Sequence, residues 1–538
     1  MKLRASAVVL FILTVATPVA DAQRLARTSV FAGGDVENYL RYLQTLGLVP
    51  LYPWGARAFS PTEVDHLLPA DTSHPWTAAY DFTSGPRGFS FGWVSPAASA
   101  RFNTAFPYGF NDGPIWAGRG LTLVADGGFQ ARRGGLSLTI APLAFVAQNT
   151  AFPLMPNGAT GNQVYGDGVQ WAHIDRPQRF GGSSYARLDP GQSTLRLEWR
   201  ALAGGITTAN QYWGPASEFP IILGNNAPGF PHVFLGTAHP VDLWLVRLHG
   251  RLVWGRTSQS AFSHEPAATG LRYSSAIVLD VTSRWVPGLE LGATRFSHQP
   301  WPPGGPTFND LLDMFRVGQG NKTNLAAVNQ LASAFFRWVA PRSGFEVYGE
   351  YGRDDYNQNF RDFLLEPDHI GGYTIGFRKI TRRGAKLLAV RVETQNLQFS
   401  HLARGRGWAP FYTHVALPQG HTQDGQVLGS EAGVGGAGSV VAIESYSPHG
   451  RWTWSWTRLI RQQRGELAGT NEGLPGSRQR RRARRPGRGA EDESGRDEGE
   501  HSHTISFWGQ DAVATPSIVL PTRSLDSSWR RRRGDRRR

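Results

Sequence analysis

Trp244-Leu245-Val246-Arg247-Leu248-His249-Gly250-Arg251-Leu252-Val253-Trp254 is the stretch on which the reading of the fold turns. Trp244, Val246, Leu248, Leu252 and Trp254 share one parity, while Arg247, His249 and Arg251 share the other. Successive side chains of a strand point to opposite faces, so this segment has one greasy face and one cationic face. A strand between lipid and a wet interior needs that division. A soluble sandwich or propeller produces the same alternation, so the pattern alone leaves both architectures open.

Working outward, the same rhythm recurs from about residue 101. Leu195, Leu197, Trp199 and Ala201 alternate with Thr194, Arg196, Glu198 and Arg200. Further examples are Ile277, Leu279 and Val281, then Phe345, Val347 and Tyr351, then Tyr373, Ile375 and Phe377, and Trp452, Trp454 and Trp456. Turn formers such as Gly134-Gly135 and Pro302-Pro303-Gly304-Gly305 separate them. One stretch, Asn324 to Trp338, also fits a helical period. The 64 Gly, 18 Trp, 29 Phe and 15 Tyr, against 18% charged residues, suit short strands with glycine turns and an apolar outside. Trp116 and Trp301 are candidates for interfacial girdles, or equally for core packing.

Ahead of the strands the period is helical. Asp35 is placed to cap a helix carrying Val36, Tyr39, Leu40, Leu43 and Leu46, with Gly47 as its stop. Ser60, Pro61 and Glu63 form a capping-box pattern before Val64, Leu67 and Leu68. Before these helices, Lys2 and Arg4, the apolar run Ala5 to Ala16 and the small residues Ala20 and Ala22 read as a secretory signal peptide cleaved near Ala22. No later run of about eighteen apolar residues exists, so any membrane crossing uses strands. With 0 Cys, a disulfide framework and a thiolate metal site are excluded.

The formal charge of +14 resembles a nucleic-acid signal until it is located. Residues 461–538 hold 18 Arg and 11 acidic residues, which is half of that net charge, and the rest is scattered. Alternation stops soon after Trp456, and Arg480-Arg481-Arg482-Ala483-Arg484-Arg485 then Glu491-Asp492-Glu493 cannot build strands. Two explanations compete: a disordered arm that binds acidic polymer or lipid headgroups, or a reading-frame slip near residues 460–465. Four segments follow: signal peptide 1–22, N-terminal helical segment with the first strand or strands 23–100, barrel 101–460, and basic tail 461–538.

Several blocks, in order, resemble the Wzi family of capsule assembly proteins. They are Asn111-Asp112-Gly113-Pro114-Ile115-Trp116 running into Gly118-Arg119-Gly120-Leu121, Tyr212-Trp213-Gly214-Pro215, Ile221-Ile222-Leu223-Gly224-Asn225-Asn226-Ala227-Pro228-Gly229-Phe230-Pro231, Glu350-Tyr351-Gly352-Arg353-Asp354-Asp355-Tyr356, Pro367-Asp368-His369 with Gly372-Tyr373-Thr374-Ile375-Gly376-Phe377-Arg378, and Gly420-His421-Thr422-Gln423-Asp424-Gly425-Gln426-Val427-Leu428-Gly429. The resemblance implies an all-β fold: a closed antiparallel transmembrane β-barrel of about eighteen strands, monomeric, with a small N-terminal helical element at the periplasmic end. It also implies an outer-membrane, lectin-like protein that retains capsular or related extracellular polysaccharide without bond chemistry. The implied partners are that polymer, outer-membrane lipid and the barrel assembly machinery, with no nucleic acid and no cofactor.

Five residues are candidates for polysaccharide binding. Trp213 beside Gly214 and Pro215 offers a flat indole for a pyranose face, with Asn225 and Asn226 as hydroxyl partners, although Asn-Asn-Ala-Pro-Gly is also what a turn needs. Arg247 and Arg251, with His249, would project into the lumen and attract uronic acids, or pair with interior carboxylates such as Glu198, Glu346 and Glu350. Catalytic machinery and metal ligands are not expected. Asp354-Asp355 would diverge on a strand, and Ser263-His264 lacks any motif context. A diffusion porin or transporter, and a barrel enzyme acting on lipid or glycan, remain the alternatives.

Overall fold

The computed structural model describes residues 23–24, 28–69, 74–78, 80–81, 88–170, 172–316, 328–354, 364, 370–398, 410–448, 450–460 and 513–519. The expected signal peptide, and the basic tail apart from residues 513–519, lie outside the described residues. Nineteen strand segments close into one ring: β1 (Phe89–Asn103), β2 (Gly120–Arg133), β3 (Leu136–Ile140), β4 (Leu143–Ala147), β5 (Tyr185–Asp189), β6 (Thr194–Trp199), β7 (Leu202–Thr207), β8 (His232–Thr237), β9 (Val241–Asp242), β10 (Val246–Ser258), β11 (Leu271–Ser283), β12 (Leu289–Pro300), β13 (Asn329–Ala340), β14 (Phe345–Asp354), β15 (Gly371–Arg383), β16 (Lys386–Asn396), β17 (Ala437–Ser447), β18 (Gly450–Ile460) and β19 (Val513–Val519). The fold is therefore the expected all-β closed barrel. β3 and β4 both pair with β2, β5 and β6 pair with β4 and β3, and β8 and β9 lie along β10, so each of these couples is one interrupted stave. Pro142, Pro190 and Pro240 sit at the three interruptions, where a residue without an N–H cannot extend the ladder. β19, drawn from the tail in which no strand was expected, pairs with β18 and completes the ring to β1.

The two-residue rhythm settles the register. β10 and β11 pair Leu248 with Val281 and Leu252 with Ile277, so the greasy sets share the outer face; a one-residue slip would turn each set inward. Leu195, Leu197 and Trp199 are exposed on the outer wall, while Arg196 between them is buried. Asn329–Ala340 is a strand, not the helix that its period also allowed: Leu331, Phe335, Arg337 and Val339 face in, and Phe336 and Trp338 face out. Pairing with β12 and β14 on both edges overrides the local helical fit.

Among the described residues, short turns (134–135, 200–201, 243–245, 341–344 and 384–385) occupy one end of the ring, and long connections (104–119, 148–170, 172–184, 208–231, 301–316 and 410–436) the other. That asymmetry marks the turn end as periplasmic. α1 (Asp35–Thr45) and α2 (Pro61–Asp65) lie at this end, inside the ring. The helix N-cap of α1 is Gly34, with Asp35 as its first residue. The Ser60–Glu63 capping box forms as its spacing requires: each side chain meets the other's backbone N–H. Trp116 packs tilted against Phe180 at 4.7 Å, so it belongs to interior packing instead of a girdle.

Candidate functional site: a filled lumen under a cap of loops

α1 is buried on both faces, which its sequence explains. Tyr39, Leu40, Tyr42 and Leu43 pack with Trp54, Phe59, Trp76 and the wall residues Ile380, Leu387 and Tyr446. Glu37, Arg41, Gln44 and Thr45 form the opposite stripe and meet the charged inner wall. Arg41 donates to Glu346 Oε1 at 2.8 Å from Nε and to the Pro215 carbonyl at 2.7 Å. Arg337 donates to the same Oε1 at 2.8 Å and Arg378 lies 3.5 Å from Oε2, so one carboxylate serves three guanidiniums. Such a cluster survives burial because its members are paired and hydrogen-bonded, not because ion pairs are cheap to bury.

Nearby, Arg57 is held by Glu37 at 3.0 Å and by the Gly214 and Ala216 carbonyls. Burial opposes its charge, but Glu37 lifts its pKa above the ordinary arginine value. Glu63 of α2 sits 3.2 Å from His249 of β10. Burial alone would raise its pKa, yet the His249 contact, with Arg196 and Arg251, brings it down to about 2. Thus His249 does face inward, and its partner is the plug.

From the outer end, residues 208–231 and 410–436 fold back into the ring. Trp213, Ile221, Ile222, Leu223, Phe230, Phe411, Tyr412, Val427, Leu428 and Val434 join the wall residues Val253, Val278, Phe296 and Leu331 in one apolar cluster. Backbone polar groups carried into such a cluster need partners. Glu393 accepts from the backbone N–H groups of Ser217, Glu218 and Phe219 at 2.7, 2.9 and 2.6 Å, and from the Tyr348 hydroxyl at 2.5 Å. Arg272 donates to the Gly420 and Thr422 carbonyls, both at 2.6 Å. His421 Nε2–H donates to the Ile222 carbonyl at 2.6 Å, which leaves Nδ1 of the ring to accept a hydrogen bond from His298 Nε2–H at 2.8 Å. Both rings are then neutral links in a structural chain.

The sequence candidates fall into this package, with one exception. Trp213 has 0% exposure and pairs with Ala56, so the indole expected to face a sugar is a core residue. Asn225 donates to the Asn111 carbonyl at 3.1 Å. Asn226 accepts from the Asn111 N–H at 2.9 Å and donates to the Gly429 carbonyl at 2.6 Å, so the pair clamps three connections together. Arg251 is buried, donates to Gln211 at 2.7 Å and lies 5.6 Å from the Phe234 ring. Arg247 is the exception: half-exposed at the periplasmic turn, it pairs with Asp242 at 2.9 Å and does not enter the lumen. Of the interior carboxylates, Glu198 pairs with Arg196, Glu346 with its arginines, and Glu350 accepts from Ser333 at 2.6 Å. Neither candidate arginine uses them. Sequence reading missed Glu393, whose inward parity on β16 was visible, and Arg41, whose polar-stripe position on α1 was visible too.

The outer connections are tied to one another. Asp167 accepts from the Val169 and Gln170 N–H groups at 2.8 and 2.7 Å and from Arg176 at 2.7 Å. Burial would raise its pKa, but Arg176 and these amides hold it below the usual aspartate value. The His414 N–H donates to the His173 carbonyl, and Gln163 donates to the Ser263 and His264 carbonyls. Burial, and then the neighbouring imidazoles of His264 and His414, lower the His173 pKa. Ser263 Oγ accepts from the Glu265 N–H, as in a turn, and Asp354 accepts from the Tyr412 N–H at 2.5 Å; Asp355 lies outside the described residues. The result is a fixed cap above a packed interior.

The family described as capsule assembly protein Wzi matches residues 126–449, more than half of the chain. No curated protein matches it at a significant level. Among solved structures, the chain is similar to Wzi of Escherichia coli, described as an outer membrane protein involved in group 1 capsule assembly and a carbohydrate-binding β-barrel; identity is 16%, the TM-score 0.55, and the match covers 80% of this chain and 86% of that one. It is also similar, at TM-scores of 0.30, to OmpT of Vibrio cholerae (7% identity, 69% of this chain and 88% of that chain) and to a mutant porin of Rhodopseudomonas blastica (7% identity, 69% and 95%).

Proposed function

The chain belongs to the Wzi family of capsule assembly proteins, and from that premise we propose that it holds capsular or related extracellular polysaccharide at the surface of the outer membrane. The observation that carries this reading is the filled lumen. Among the described residues, helices close the ring from the periplasmic side and two inward-folded connections close it from outside, so a polymer finds no path through them and meets the cap.

A fixed cap suits such a task, because each repeat unit of a long polymer binds weakly and many units in register bind well when the surface needs no reordering. In this reading Trp213, Asn225, Asn226 and Arg251 brace the cap from below, and Arg247 takes no part. Contact with sugar hydroxyls falls to exposed groups on the connections 148–184 and 259–270, such as Thr160, Asn162 and His264. No bond of the polymer is made or broken, the protein acts as a single chain without a cofactor, and the barrel assembly machinery inserts it. The filled interior also disfavours the porin alternative.

Deleting the gene and measuring cell-bound against shed polysaccharide tests the reading. Loss of the cell-bound fraction, restored by the intact gene, is expected; equal retention in both strains removes the capsule role.

A further inference from the structure

We propose that residues 301–316 form an amphipathic flap folded down the outside of the barrel, which docks the protein onto the outer leaflet of the membrane through Phe308, Leu312 and Phe315. This rests on the reading of the ring as a membrane barrel. On the periplasmic half of β11, β12 and β13, outward positions are apolar and exposed at Leu279, Leu291, Phe336 and Trp338. Toward the outer end the same parity turns polar, at Ser275, Arg295, Ser297, Gln299 and Gln330. Yet Tyr273, Ser275, Ser297 and Gln330 are at most 7% exposed although they face away from the lumen.

The flap covers them. Its 3-10 turn Asp310–Phe315 lies against β11 and β12. Trp254 Nε1 donates to the Leu311 carbonyl at 2.9 Å, the Tyr273 hydroxyl to the Asp310 carbonyl at 3.2 Å, and Gln299 to Asp310 Oδ1 at 3.3 Å. Arg295 donates to the Arg316 carbonyl and to Gln330, and Arg316 pairs with Asp313 at 3.3 Å, so the underside is polar and matched. The opposite side carries Phe308 at 74%, Phe315 at 55% and Leu312 at 37% exposure. Those rings continue the lipid-facing wall. Trp254 stands eight positions above Val246, the first residue of β10, hence about 20 Å higher along the axis at ~3.4 Å per residue and ~40° tilt. With Trp244 in the turn below, this distance spans the apolar band of ~25 Å, so the flap lies at the outer interface.

The absence of cysteine makes the test clean. Phe308→Cys and Phe315→Cys are labelled with an environment-sensitive fluorophore in phosphatidylcholine vesicles carrying spin-labelled lipids, beside Leu291→Cys on the wall and Thr160→Cys on the cap. Quenching at 308 and 315 is expected to be several-fold stronger than at 160, deepest for lipids labelled near the headgroup. If 291 is quenched while 308 and 315 behave like 160 and react to iodide as freely, the flap does not touch lipid and the proposal falls. If 291 itself escapes quenching, the ring is not in the membrane and the barrel reading falls with it.

Discussion

Glu346 is the residue on which the periplasmic closure depends most, since Arg41, Arg337 and Arg378 all lean on it. Glu346→Gln leaves Arg41 and Arg378 buried without that countercharge and Arg337 with Glu290 alone, and the expected loss is about 3–5 kcal/mol. It would be read as a lower unfolding temperature of the detergent-extracted barrel, and an unchanged temperature would refute the account. Arg247→Ala is the contrast: its partner Asp242 is solvent-exposed, and no measurable change in unfolding temperature or in polymer retention is expected. A drop in retention for that variant would return Arg247 to the binding surface. Both arginines of the β10 stretch look alike in sequence. Parity alone told which face each occupies, but not that position 247 stands at a rim and position 251 under a loop.

Elements carry the pH dependence. The His173 pKa is lowered by burial and by His264 and His414, so the ring is neutral in the folded cap. A lowered folded value means that its contribution is fully present above the ordinary value of 6.5 and lost as pH falls below it. Limited proteolysis of intact membranes should therefore cut the connection 148–184 faster at pH 5 than at pH 7.5, and His173→Gln should flatten that difference; a pH-independent rate contradicts it. Helix α2 was fully legible, because a capping box is a four-residue device. The strand β13 was not: Val328, Leu331, Ala332, Phe335 and Phe336 satisfy a helical stripe as well as Phe336 and Trp338 satisfy alternation, and only two flanking strands choose between them. The interrupted staves were half legible, since Pro142, Pro190 and Pro240 mark breaks whose alignment around the ring has no local signature.

For the whole molecule, packing of the N-terminal helices and of the inward connections predicts negligible ion conductance in a planar bilayer; steady current through the intact protein would favour the porin reading. Ring closure depends on β19, so a chain ending at residue 460 leaves β18 and β1 with unpaired edges, which lipid does not tolerate. That truncated chain should fail to give a compact, heat-modifiable band, and a normal band would show that closure lies elsewhere. What the chain's order of residues determined by itself was the two-residue rhythm, the N-terminal helices and the blocks shared with the family, because each depends only on near neighbours. The filled lumen, the burial of Trp213 and the covered outer wall were decided by tertiary contacts such as Asn226 with Gly429, 203 positions away. A side chain's parity is local, whereas what comes to lie upon it depends on where distant chain returns, and no period of two or of 3.6 records that.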